Sequence, residues 1–193
     1  MLGLKLPTDP RWAEIAEKSI EEILVDHAFC EQKAASSCIS LVVQYPDYPR
    51  LVRELAPVVT EEWGHFRTVV EEMDRRNIPL GPQRSDEYVV ALLAFQPRGL
   101  DRKARLLEKL LCCALIEARS CERFRLLSLH CSDEDLRRVY HAFMVSEAGH
   151  YRLFMDLAEA YFPKEQVRKR WDEYLEYEAG VMLRFRPRTG RIH

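Results

Sequence analysis

The chain has 193 residues, 47% of them hydrophobic, and a formal net charge of -2. That length suits one domain with a full core and excludes two generous ones, and the near-neutral charge argues against a protein that coats nucleic acid over its whole surface. No apolar run approaches the roughly eighteen residues of a membrane span, the longest being Val89 to Phe95 and Leu110 to Ile116, so a soluble protein with no membrane partner is expected.

A first helix is expected after Thr8-Asp9-Pro10, where a capping residue precedes an early proline, and it runs to about Gln44. Tyr45-Pro46-Asp47-Tyr48-Pro49 then makes a turn, and a second helix covers about Arg50 to Asn77. Pro57 lies inside it, five residues before Glu62, and its missing N–H predicts a kink or break. Residues 78–100 read as a long connection with a short helix near Asp86 to Ala94. Helix three covers about Asp101 to Leu129, and Ser132-Asp133-Glu134-Asp135 gives helix four a capped, acidic start before it reaches about Phe162. Pro163 opens a further helix to about Ala179, and a basic tail without a compact element follows over 181–193. The whole chain is therefore expected to be a single all-α domain. Its class is a ferritin-like four-helix bundle, with a long crossover between helices two and three and an extra C-terminal helix.

Two Glu-x-x-His turns, Glu62-Trp63-Gly64-His65 and Glu147-Ala148-Gly149-His150, stand out on this framework. Residues three apart share a helix face, so each turn aims a carboxylate oxygen and an imidazole nitrogen at one point. With six histidines in the chain, about 0.65 such matches are expected at random, so two alone carry little. The separations carry more: Glu31 precedes Glu62 by thirty-one residues and Glu117 precedes Glu147 by thirty, which makes two copies of one helical hairpin. The order Glu, Glu-x-x-His, Glu, Glu-x-x-His is the ligand pattern of di-iron and di-manganese carboxylate bundles.

The four glutamates also occupy apolar stripes. Helix one reads Ile20, Leu24, His27, Glu31, Ala34, Cys38, Leu41, and helix two reads Leu51, Leu55, Val58, Glu62, His65, Val69, Met73. Helix three gives Leu106, Leu110, Cys113, Glu117, Cys121, Phe124, and helix four gives Leu136, Phe143, Glu147, His150, Phe154, Leu157. In each, a glutamate stands where a core residue belongs, and burying even one lone charge costs several kcal/mol after relaxation. Two divalent ions would balance four such carboxylates. His27, one turn before Glu31, reads first as a core histidine and second as a group that orients Glu31, while His130, His141 and His193 fall off the stripes.

The cysteines Cys30, Cys38, Cys112, Cys113, Cys121 and Cys131 form no Cys-x-x-Cys pair, and no leader sequence is recognised. Reduced thiols and a cytoplasmic location are expected. Without a rubredoxin-like or Fe–S module of its own, redox chemistry would draw electrons from a separate reductase.

The segments Ile116-Glu117-Ala118-Arg119-Ser120-Cys121-Glu122-Arg123-Phe124 and Ser146-Glu147-Ala148-Gly149-His150-Tyr151, with Glu62-Trp63-Gly64-His65-Phe66 and Ile78-Pro79-Leu80-Gly81-Pro82, resemble the MiaE family of tRNA hydroxylases. The resemblance implies oxygen-dependent hydroxylation of the isopentenyl group on 2-methylthio-isopentenyladenosine, beside the anticodon of tRNA. It implies two iron ions held by Glu31, Glu62, His65, Glu117, Glu147 and His150, dioxygen as co-substrate, and electrons from an external reductase. The partner so implied is a tRNA anticodon stem-loop carrying the prenylated adenosine. Arg98, Arg102, Lys103, Arg105, Arg119, Arg123 and Arg125, with Arg184, Arg186 and Arg188 in the tail, are the cations expected to meet its phosphates. The alternatives are a ferritin-like peroxidase or manganese catalase, an iron-binding storage protein without a tRNA substrate, and a metal-free helical module.

Overall fold

The computed structural model describes residues 2–83, 85–185 and 191–192, and among these it contains seven α-helices and no strand. They are α1 (Arg11–Glu17), α2 (Ile20–Gln44), α3 (Pro49–Arg75), α4 (Glu87–Ala94), α5 (Arg102–His130), α6 (Glu134–Tyr161) and α7 (Lys164–Arg184). None is long and apolar enough to cross a membrane.

Three helices begin where a short acidic side chain answers backbone N–H groups that have no partner within the helix. Asp86 accepts from the Val89 amide at 3.1 Å, Asp101 from the Ala104 amide at 2.7 Å, and Asp133 from the amides of Asp135 and Leu136 at 2.9 and 3.1 Å. These starts fall where the sequence signals place them. The expected first helix instead divides into α1 and α2. Ser19 closes α1 with its amide on the Ala16 carbonyl at 3.1 Å and its hydroxyl on the Ile15 carbonyl at 3.2 Å. Such local bonds replace the next turn of the ladder without any glycine or proline to announce them. α3 is assigned as one helix through Pro57, so the proline removes a donor without ending the element. α7 runs on to Arg184, through Gly180, where the sequence reading ends it near Ala179.

The described residues form two compact units. In one, covering residues 15–83, 85 and 191–192, α2 and α3 pack as a hairpin across the Tyr45–Tyr48 turn, whose two rings meet edge to face at 5.8 Å. Its buried positions include Leu24, Ala28, Ala35, Cys38 and Leu41 of α2, and Leu51, Leu55, Val58, Val69 and Met73 of α3. Asp26, also buried, accepts from Arg191 Nη1 at 2.6 Å and from the Ile192 amide at 2.9 Å. Arg191 and Ile192 are therefore tied to α2, although no compact element is expected there from sequence.

In the other unit, covering residues 2–14 and 86–185, α5 packs on α6, α7 contacts both, and α4 lies against α5 and α7. Arg170 of α7 reaches α5 through a two-pronged pair with Glu108, Nε to Oε1 at 2.8 Å and Nη2 to Oε2 at 2.7 Å. Deeper in this unit Arg119 is fully buried and gives every nitrogen an acceptor. Its Nε donates to Glu178 Oε1 at 2.8 Å, Nη1 to Thr8 Oγ1 at 2.9 Å and to Glu122, and Nη2 to the Leu6 carbonyl at 2.9 Å. Thr8 in turn donates its hydroxyl to Glu122 Oε2 at 2.6 Å, Tyr88 donates to Glu178 at 3.3 Å, and the Arg123 guanidinium lies 4.2 Å over the Trp12 ring. The segment around Leu6 and Thr8 is thus fixed to α5 by charge-assisted bonds.

Removing one member of a buried ion network leaves the others charged and dry, which costs about 3–5 kcal/mol. Arg119→Ala is expected to lose that much stability in urea unfolding. Exposed Arg125→Ala, on the same helix, should stay within about 0.5 kcal/mol of the unmodified chain.

Candidate metal centre

Each unit gathers two glutamates and one histidine. In the first, Glu31 of α2 meets Glu62 and His65 of α3, and each offers a ligand atom within 4.8 Å of the others. In the second, Glu117 of α5 meets Glu147 and His150 of α6 within the same limit. Both Glu-x-x-His turns behave as helical spacing dictates, with the two side chains on one face. All four glutamates are buried, Glu62 to 1% exposure and Glu147 to 2%.

In the first set His27, fully buried one turn before Glu31, places Nε2 2.6 Å from Glu31 Oε1. An ionised carboxylate only accepts, so Nε2–H is the donor. This histidine orients Glu31, the reading that ranks second from sequence. His65 Nδ1 stands 3.4 Å from Glu31 Oε2 and 3.5 Å from Glu62 Oε2. Burial pushes the Glu31 carboxyl up, but His27 and His65 outweigh it and hold the group well below the usual carboxylate range. Burial pulls the His65 imidazole down, and the Glu31 and Glu62 carboxylates more than reverse this, raising it to about 10. The two carboxylates thus favour the imidazolium form of His65, which offsets part of their charge.

In the second set, Cys121 lies one turn beyond Glu117 and donates its S–H to the Met144 carbonyl at 3.3 Å, which ties α5 to α6. Burial, then the charges of Glu122 and Glu117, push its thiol up to about 11.

The donor set fits divalent first-row ions. Carboxylate oxygens and imidazole nitrogens suit iron or manganese, and buried carboxylates at core positions gain most from a cation.

The expected RNA contacts divide. Arg98, Arg102, Lys103, Arg105, Arg125 and Arg184 are exposed. Arg119 and Arg123 are not, and the expectation for these two is overturned, since both are buried in the network with Glu122, Glu178, Thr8 and Trp12. Arg119 stands i, i+3 to Glu122 and Arg123 directly follows that glutamate, which resembles a solvated charged face in sequence, because Glu178, the distant partner of Arg119, lies 59 residues away. Arg186 and Arg188 lie outside the described residues.

A group whose pKa is raised on folding stabilises fully below its unfolded value and loses that contribution as pH rises through the folded value. For His65 the window runs from 6.5 to about 10. The metal-free protein should lose stability steadily as pH is raised across this window in urea unfolding, and His65→Gln should flatten that limb.

A family model described as tRNA-(MS[2]IO[6]A)-hydroxylase (MiaE) matches residues 2–193. A Pseudomonas putida protein named tRNA 2-(methylsulfanyl)-N(6)-isopentenyladenosine(37) hydroxylase is 38% identical over 162 residues, 82% of this chain and 76% of that one. A Salmonella typhimurium protein of the same name is 29% identical, the match covering 93% of this chain and 83% of that one. Among solved structures, a Synechococcus protein described as having aldehyde deformylating oxygenase activity superposes with a TM-score of 0.91 at 34% identity, covering 98% of this chain and 94% of that one. That likeness places the fold in the ferritin-like all-α class, and the match over 2–193 with the identity to the Pseudomonas protein shows that the chain belongs to the MiaE family.

Proposed function

We propose that this protein is an oxygen-dependent tRNA hydroxylase that acts on the isopentenyl group of 2-methylthio-isopentenyladenosine, with residues 1–193 working as one di-iron domain. The observation that carries the reading is the pairing of a family match over 2–193 with two copies of a Glu, Glu, His set whose glutamates are buried. Glu31, Glu62 and His65 from one copy, with Glu117, Glu147 and His150 from the other, would supply the six ligands of two ions. Two divalent ions carry four positive charges, equal to the charge of the four glutamates.

Bound iron would supply the reducing equivalents that dioxygen needs for one oxygen atom to enter a C–H bond while the other leaves as water, with two electrons then restored by a separate reductase. The chain's own residues prepare that site. His27 fixes the Glu31 carboxylate through Nε2–H, so the ligand is aimed before a metal arrives. His65 must lose its imidazolium proton to become a ligand, so metal binding releases a proton near neutral pH. Burial of the glutamates keeps bulk water from the carboxylates that would hold the ions. For the tRNA itself, exposed Arg98, Arg102, Lys103, Arg105, Arg125 and Arg184 are the cations available to meet phosphates.

One observation favours a second reading: the Synechococcus structure, described by aldehyde deformylating oxygenase activity, is 34% identical to this chain. The same ligands could serve a small aldehyde. The match to a tRNA hydroxylase family model over 2–193 and two relatives of that name place tRNA first.

Iron-loaded protein incubated with prenylated tRNA, dioxygen and a chemical reductant should add one oxygen to the modified adenosine, read by nucleoside mass spectrometry. Glu117→Ala should abolish the gain. No gain from protein carrying two irons, together with turnover of such an aldehyde, would replace the first reading by the second.

A further inference from the structure

The residue beside the buried ligand Glu62 faces outward. Trp63 keeps 47% of its surface in solvent, while Trp12 and Trp171 are buried. Its ring rests on that of Phe66, with centroids 4.8 Å apart and planes inclined by 32°. At about 100° per residue, Trp63 and Phe66 stand roughly 100° and 40° around α3 from Glu62, on one flank. Arg67, exposed, follows at about 140° on the same side, and Glu61 falls on the other.

This flank therefore presents a supported aromatic face and a cation next to the turn that carries Glu62 and His65. An indole left half in water gives up the gain that its burial would bring. Unpaired RNA bases are held by stacking on such rings, and a nearby arginine answers the phosphate. An apolar protein partner would have no use for the positive charge at Arg67. Resting on the tRNA reading above, we propose that Trp63, backed by Phe66, is the platform on which an unpaired purine of the anticodon loop stacks, with Arg67 contacting its phosphate. Trp63 is then a substrate-positioning residue that acts without touching the metal.

The other two tryptophans are buried out of reach of a stacking base, so the part of the indole emission that bound RNA quenches by stacking reports Trp63. A prenylated anticodon stem-loop RNA should quench the emission of the full-length, iron-loaded protein held without oxygen, and Trp63→Phe should abolish that quench. Trp63→Ala should weaken binding of the RNA roughly 10- to 100-fold and raise KM in parallel. Iron content and kcat at saturating RNA should be unchanged. Trp63→Phe, which keeps a ring, should bind within about threefold of the unmodified protein. Binding by Trp63→Ala within twofold of the unmodified protein, equal losses in both variants, or a quench that survives in Trp63→Phe would each overturn the platform. Absence of RNA turnover by the unmodified, iron-loaded protein would instead overturn the hydroxylase reading, and the platform with it.

Discussion

Carboxylates set inside apolar helix faces constrain the rest of this molecule. A glutamate at a core position costs several kcal/mol unless a positive charge meets it, and Glu31, Glu62, Glu117 and Glu147 all occupy such positions. The protein answers part of that charge with its own side chains. His27 donates to Glu31, and His65 takes up a proton between Glu31 and Glu62. These groups hold Glu31 and Glu62 in register without any bound ion. Stability is thereby traded for a preformed cluster of carboxylates and imidazoles.

Much of this arrangement is legible in the chain because it is local. Helix spacing alone brings Glu62 to His65 and Glu147 to His150, and Asp86, Asp101 and Asp133 mark helix starts through contacts two or three residues long. What escapes sequence is either unsignalled or distant. Ser19 separates α1 from α2 with a hydroxyl bond that no breaker residue announces. Gly180 invites a helix end that the surrounding turns override. Arg119 and Arg123 look like solvated cations until Glu178, Leu6 and Thr8 are brought around them by the fold.

That buried network also explains why the Glu-Ala-Arg-Ser-Cys-Glu-Arg run is dense in charge on a helix that lies in the core. Glu117 faces the cluster with Glu147 and His150, whereas Arg119, Glu122 and Arg123 serve the packing of the N-terminal segment and α7 onto α5. One stretch of seven residues thus has two tasks, divided by the direction in which each side chain leaves the helix. The rigid side supports the chemical side, because α5 cannot roll without breaking charge-assisted bonds on its other face.

The thiol of Cys121 has a chemical consequence of its own. With its proton held to about 11 and engaged with the Met144 carbonyl, only about one molecule in ten thousand carries a thiolate at neutral pH. A sulfur anion so close to Glu117 would recruit zinc or cuprous copper and would be a ready victim of peroxide. Keeping it protonated withdraws this sulfur from competition with the oxygen and nitrogen donors. Cysteine can thereby sit in the core beside a carboxylate cluster as a packing residue, with its sulfur held in the unreactive thiol form.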